Sequence, residues 1–212
     1  AAIDALSVCV VLHALLHHGA VDAGAWAAHG AVGVLAMLLC CHAAAARRLG
    51  YECLARYMAA LAEGASFRER EQVKRLLGAL RDAITVADQQ LPACIGTFVA
   101  HALLALTARP PHSQYKPINS FLLSRPYLQL DEPPMFFASF HAGGERARDE
   151  RLWSLALLRG GLRTDADVAL VAKRHILQLL LAAHSSPICE APQLRRATEL
   201  VLQRAAALPA AA

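Results

Sequence analysis

The stretch RLWSLALLRGGLRTDADVALVAKRHILQLLLAAH, residues 151–184, decides the fold class. Its apolar residues recur at helical spacing and there is almost no period-two alternation of β-branched residues, so it reads as two helices and no strand. The punctuation agrees. Gly160-Gly161 closes the first apolar run in the manner of a left-handed helix terminus. Thr164 and Asp167 then have the spacing of a capping box at the start of the second. Trp153, Leu157 and Leu158 form one apolar stripe of the first helix and are expected to be buried against the second, with Arg151 and Arg159 pointing elsewhere.

The same periodicity extends in both directions. Helices are predicted near 2–18, 24–46, 50–63, 67–88, 91–108, 117–124, 133–141, 145–160, 165–183 and 191–207. Ser66 with Glu69 repeats the capping-box spacing, Pro192 suits a first helical turn, and Gly19 and Gly64 follow apolar runs as left-handed caps would. About ten helices in pairs joined by short turns suggest an all-α, armadillo- or HEAT-like helical-repeat solenoid segment, with a single irregular bundle as the alternative. Residues 109–135 contain six prolines and read as a connector. The chain thus divides into a helical half at 1–108, the Pro-rich connector, and a second helical half at 136–212.

Composition narrows the function classes. A chain of 212 residues, 56% hydrophobic and 18% charged, folds around a core. It begins Ala-Ala-Ile with no initiator methionine and no signal-peptide pattern, so it reads as a segment of a longer polypeptide. Residues 1–46 hold no Lys or Arg, whereas residues 145–212 hold ten basic against seven acidic side chains. Only Lys74, Lys116 and Lys173 among the 21 basic residues are lysines, and guanidinium groups suit bidentate phosphate contact. A net charge of +4 is nevertheless modest, and a solvated face is the plainer reading for most of them. The six cysteines lack the spacing of a disulfide framework and fit a reducing compartment.

Ala23 to Ala46 carries no Asp, Glu, Lys or Arg and is long enough to span a bilayer, but its Ala/Gly content, His29 and His42 favour a helix buried among neighbours, so no membrane partner is expected. His13 and His17 stand one helical turn apart, the spacing of a zinc-binding helix, without the glutamate of H-E-x-x-H or a third ligand; no metal or cofactor is expected. Cys40-Cys41 is a poor chelate and a poor disulfide, since neighbours on a helix point apart. No nucleophile elbow, P-loop or dinucleotide fingerprint occurs, and Asp131-Glu132 and Asp149-Glu150 read as solvated helix starts. No catalytic residue, enzyme activity or small-molecule substrate is indicated.

Residues 115–140, YKPINSFLLSRPYLQLDEPPMFFASF, followed by residues 151–190, resemble the C-terminal domain of the nucleolar pre-ribosomal-associated protein family. The motifs that carry this are Asn119 to Leu123, Pro126 to Leu130, Met135 to Phe140, Trp153 to Arg163 and Lys173 to Ile188, in that order over about residues 115–205. Residues 1–110 show only general helical similarity. The resemblance implies a non-catalytic helical scaffold in nucleolar assembly of the large (60S) ribosomal subunit, with pre-60S assembly factors and rRNA or small nucleolar RNA as partners. A protein-interaction solenoid unrelated to ribosomes, such as a trafficking or cytoskeletal adaptor, is the alternative.

Within this frame Asp131 is expected to cap a short helix that Pro133-Pro134 begin, with Phe136 and Phe140 on one face. The aromatic residues either lock the connector onto the helices or leave Tyr127 or Phe137 exposed as a partner anchor. Arg159, Arg163, Lys173 and Arg174 flank two consecutive helices, and Arg195 and Arg196 extend them into a candidate RNA or partner edge. Pairing of Arg163 with Asp165 or Asp167, and of Arg195 or Arg196 with Glu199, is the plainer alternative.

Overall fold

The computed structural model describes residues 5–19 and 21–208, residues 5–9 through their backbone. Among these every regular element is helical: twelve α-helices and one 3₁₀ turn, with no strand. The chain is all-α, and successive helices joined by short turns are compatible with a segment of a helical-repeat solenoid. It divides into two compact units, Ala1–Leu91 with Val99–Leu128, and Pro92–Phe98 with Gln129–Ala212.

The first unit contains α1 (Ala5–His17), α2 (Ala23–Ala28), α3 (Ala31–Leu38), α4 (Ala44–Glu63), α5 (Arg70–Ala83), the later part of α6 (Ala93–Thr107) and α7 (Tyr115–Ser124). Helix α4 packs on α1 and α3, and α5 packs on α4 and α7. Leu35, Leu39, Leu61, Leu76, Leu80 and Leu103 are fully enclosed. Tyr57 lies among them, donates to the Ala23 carbonyl at 2.7 Å and stacks near Trp26. Burial pushes its hydroxyl pKa up, which keeps it a donor.

The expected helix at 24–46 is interrupted. Gly30 adopts φ +81°, a conformation glycine takes without a Cβ clash, and separates α2 from α3. After α3 the chain turns through Cys40–His42, where Arg47 donates to the carbonyls of Cys41 and His42 at 2.8 and 2.7 Å. No helix among the described residues is long and apolar enough to cross a membrane. Cys40, Cys41, Cys53, Cys94 and Cys189 are thiols; the side chain of Cys9 and the expected helix start at residue 2 lie outside the described residues.

The capping box expected at Ser66 and Glu69 does not form. Glu69 itself occupies the N-cap position of α5, and its buried carboxylate lies 3.4 Å from Arg109 and 3.7 Å from Arg68. Two guanidinium partners hold that carboxylate more strongly than the backbone at Ser66 would. Gly64 is likewise extended (φ −73°, ψ 178°) rather than left-handed. Arg70 supplies the missing cap by donating to the carbonyls of Leu61 and Ala62 at 2.9 and 2.6 Å.

The second unit contains the start of α6, then α8 (Phe136–Phe140), α9 (Ala147–Gly161), α10 (Asp165–Lys173), α11 (Ile176–His184), the 3₁₀ turn Pro187–Cys189 and α12 (Pro192–Ala206). Phe136, Phe140, Leu155, Leu158, Ile176, Leu180 and Val201 form one apolar core. Phe136 and Phe140 share a face as expected, their rings stacked at 5.4 Å. The helix does not begin at Pro133, however. Met135 takes φ +60° as its N-cap, and Asp131 turns away to Arg174. The single helix expected at 165–183 is also two helices, because His175 at φ +57° breaks it between α10 and α11.

The capping box at the start of α10 is present: Thr164 Oγ1 accepts from Asp167 N–H, and the Asp167 carboxylate accepts from Thr164 N–H at 2.9 Å. Pro192 opens α12 as expected. Helix α9 packs chiefly against α8 and α12. Leu158 joins the shared core, but Trp153 is only half-buried and meets Phe98 edge-on at 6.3 Å. The stripe therefore faces two neighbours instead of the 165–183 segment alone. Half-burial halves the cost of truncation: Trp153→Ala is expected to lose about 2 kcal/mol in urea unfolding instead of the larger loss of an enclosed tryptophan.

Candidate functional site

The C-terminal end of α9 makes the site. A helix leaves its last carbonyls without intrahelical donors and carries partial negative charge there, so it attracts guanidinium groups. Arg163 Nε donates to the Gly160 carbonyl at 3.1 Å, and Arg204 Nε, from the last turn of α12, donates to the Leu162 carbonyl at 2.9 Å. Each bond fixes a guanidinium through one nitrogen and leaves its terminal NH₂ groups available. Arg159 lies on the same helix end, is exposed, and its side chain makes no hydrogen bond among the described residues.

These three arginines, with Gly160, Leu200 and Gln203, line an open cleft of about 650 Å³ between α9 and α12. Among the described residues no carboxylate lines it. Three cations against a helix terminus worth roughly half a negative charge leave the cleft positive, and the donor geometry suits phosphate or another multidentate oxyanion.

The remaining residues of the expected edge lie outside this cleft. Arg174 donates to the Asp131 carbonyl at 2.8 Å and also meets the Asp131 carboxylate. Arg196 lies 3.4 Å from Glu199, which His184 contacts at 3.2 Å. The His184 hydrogen bond, then that of Arg196, holds the Glu199 carboxyl below its usual pKa. Lys173 and Arg195 are exposed. Arg163 does not pair its side chain with Asp165 or Asp167; only its backbone N–H reaches Asp167, at 3.2 Å. Sequence reasoning missed Arg204 and Gln203. Their signal was present, since residues 200, 203 and 204 share one helical face.

Tyr127 is 51% exposed and Phe137 38% exposed, each within its own unit. At the other end of the chain His13 Nε2 lies 3.3 Å from Glu52, and His17 stacks edge-on against His13. Among the described residues no three His, Cys, Asp or Glu side chains gather in a metal-holding group.

A family model described as nucleolar pre-ribosomal-associated protein 1 matches residues 32–212. The chain belongs to this family. Nucleolar pre-ribosomal-associated protein 1 of Homo sapiens and its counterpart of Mus musculus are each 33% identical to it over 144 residues. That alignment covers 68% of this chain and 6% of either relative. No solved structure matches it. The family match reaches well upstream of residues 115–205 and takes in α3 to α6, where helical periodicity alone gave no family-specific pattern. The arginine cleft lies wholly inside the matched region of this nucleolar pre-ribosomal-associated protein family member.

Proposed function

We propose that this chain is a non-catalytic helical scaffold segment acting in the nucleolus, in pre-ribosomal particles of the large (60S) subunit, where it binds assembly factors and precursor rRNA. Family membership across residues 32–212 is the observation that carries the pre-ribosomal role. The cleft of Arg159, Arg163 and Arg204 supports the RNA contact, because three guanidinium groups, with no lining carboxylate among the described residues, grip phosphates without reading sequence. Small nucleolar RNA has the same backbone chemistry and is a second ligand of the same kind.

Binding of the chain to a structured rRNA fragment, titrated against salt, tests the RNA contact. Arg159→Ala combined with Arg163→Ala is expected to weaken binding about tenfold and to reduce the salt slope by about 2. Unchanged affinity and slope in a variant that melts normally would remove the cleft from the RNA interface. Co-sedimentation of the full-length protein with precursor large-subunit particles tests the wider reading, and migration with small-subunit precursors alone would overturn the 60S assignment.

A further inference from the structure

The arginines that donate to backbone carbonyls differ in how much of each guanidinium the fold uses. Arg47 donates from Nε to the Asp88 carbonyl at 3.1 Å and from Nη1 to those of Cys41 and His42. Arg70 divides Nε and Nη2 between the Leu61 and Ala62 carbonyls, and Arg151 divides them between Phe140 and Ala142. Arg174 spends Nε on the Asp131 carbonyl and Nη2 on its carboxylate. In each of these the chain itself takes up Nε together with a terminal nitrogen.

Arg163 and Arg204 do not follow that pattern. Arg163 donates to the Gly160 carbonyl and Arg204 to the Leu162 carbonyl through Nε, and neither uses a terminal nitrogen on any partner among the described residues. Both side chains are exposed, and both line the same open cleft. Capping the end of α9 is complete with one donor on each carbonyl, so the terminal NH₂ groups are surplus to the fold. The bond at Nε fixes the plane of the guanidinium and leaves its end-on edge outward, the edge that meets two oxygens of a phosphate at once. A group already held in this way loses little further freedom on binding. Arg159 has no such anchor and brings its charge alone.

We infer that Arg163 and Arg204 each hold a phosphate of the RNA backbone end-on through their terminal NH₂ groups, so that the cleft recognises its ligand by guanidinium geometry and Arg159 supplies only charge. This rests on the RNA contact proposed above and names the residues that carry it. Lysine separates the two contributions. It keeps the positive charge, but its single terminal nitrogen is a point donor that cannot cap the carbonyl through one nitrogen and present a fork through two others.

The test measures anisotropy of a fluorescein-labelled structured rRNA fragment titrated with the 212-residue chain at several salt concentrations. Arg163→Lys and Arg204→Lys are each expected to weaken binding about fivefold with an unchanged salt slope, since the charge that releases counterions is retained. Arg159→Lys is expected to bind within about twofold of the wild-type chain. Because a lysine at 163 or 204 also loosens a cap, a second measurement follows the guanidinium groups of the wild-type chain in arginine side-chain nitrogen NMR spectra. The terminal NH₂ signals of Arg163 and Arg204 are expected to shift on RNA addition, with slowed rotation about their C–N bonds. The inference is overturned, and the RNA contact stands, if all three lysine variants bind like wild type while Arg159→Ala with Arg163→Ala binds weakly: charge alone would then suffice. Terminal NH₂ signals unmoved at saturating RNA overturn it as well, as does displacement of the RNA by a polyglutamate peptide at equal charge concentration, which would make a carboxylate-bearing protein the ligand. If the double alanine variant also binds like wild type, the RNA contact itself falls and takes the inference with it.

Discussion

Asp167→Ala is expected to lower the unfolding free energy by about 4 kcal/mol, since three backbone N–H groups lose their acceptor in a nearly sealed position. The carboxylate is 3% exposed and connects two helix starts. One oxygen accepts from Ala93 N–H at 2.8 Å, at the first residue of α6. The other accepts from the N–H groups of Arg163 and Thr164 at 3.2 and 2.9 Å and from the Thr164 hydroxyl at 2.9 Å. A buried charge is tolerated only when its lone pairs are this fully satisfied. Alanine removes the charge and leaves the donors, whose desolvation is then uncompensated. Asp167→Asn keeps one acceptor oxygen but turns an amide donor toward other donors, so its loss is expected to be smaller and still clear. Urea midpoints at constant m-value measure both, and the amide protons of Ala93 and Thr164 are expected to exchange faster. An Asp167→Ala variant within 1 kcal/mol of wild type, well below the ~4 kcal/mol expected for orphaned donors, would mean that water reaches these groups.

Half of that arrangement was legible in the sequence. Thr164 with Asp167 has the local spacing of a capping box, and local spacing is what a sequence displays. The bond from Ala93 spans 74 positions, and no periodicity carries it. The same contrast runs through the fold. Helix identity followed from apolar periodicity, but the breaks at Gly30 and His175 split two expected helices, because in both stretches the apolar pattern continues across the turn. Ser66 with Glu69 shows the converse: correct spacing failed once the neighbouring Arg68 and the distant Arg109 claimed the carboxylate.

The preponderance of arginine over lysine has a second explanation that only the structure supplies. Arg47, Arg70, Arg151, Arg163, Arg174 and Arg204 all donate to backbone carbonyls, most of them at helix ends or in the turns that follow. A forked guanidinium can serve two carbonyls at once, as Arg151 does for Phe140 and Ala142 at 2.9 and 2.8 Å, and it retains further donors. Arginine content therefore reports on helix capping as well as on phosphate contact. The candidate site arises where both uses coincide, at the end of α9, because two of the capping guanidinium groups there also line an open cleft.

Gly161→Ala is expected to cost about 3 kcal/mol, against the sign that helix propensity alone would give. Gly160 and Gly161 read as the left-handed end of a helix, yet α9 remains helical through Gly161 and ends at Leu162 with φ −84°. Close approach explains the glycine instead. A Cβ at Gly161 would lie 2.6 Å from the Cα, 2.9 Å from the Cβ and 3.1 Å from the backbone nitrogen of Cys94. The nearest of these is backbone, so no rotamer change relieves the contact, and α9 must move off the first turn of α6. That displacement also draws Ala93 away from Asp167, so the two sites are coupled and Gly161→Ala with Asp167→Ala should lose less than the sum of the single losses. Cys94→Gly removes the Cβ but not the Cα, and is expected not to rescue Gly161→Ala. The same glycine-to-alanine change at Gly78 meets no atom and should stabilise the chain, which makes the pair an internal control for propensity. Thermal and urea unfolding of the two variants side by side gives the result directly. If Gly161→Ala were neutral or stabilising, α9 and α6 would not approach this closely in solution.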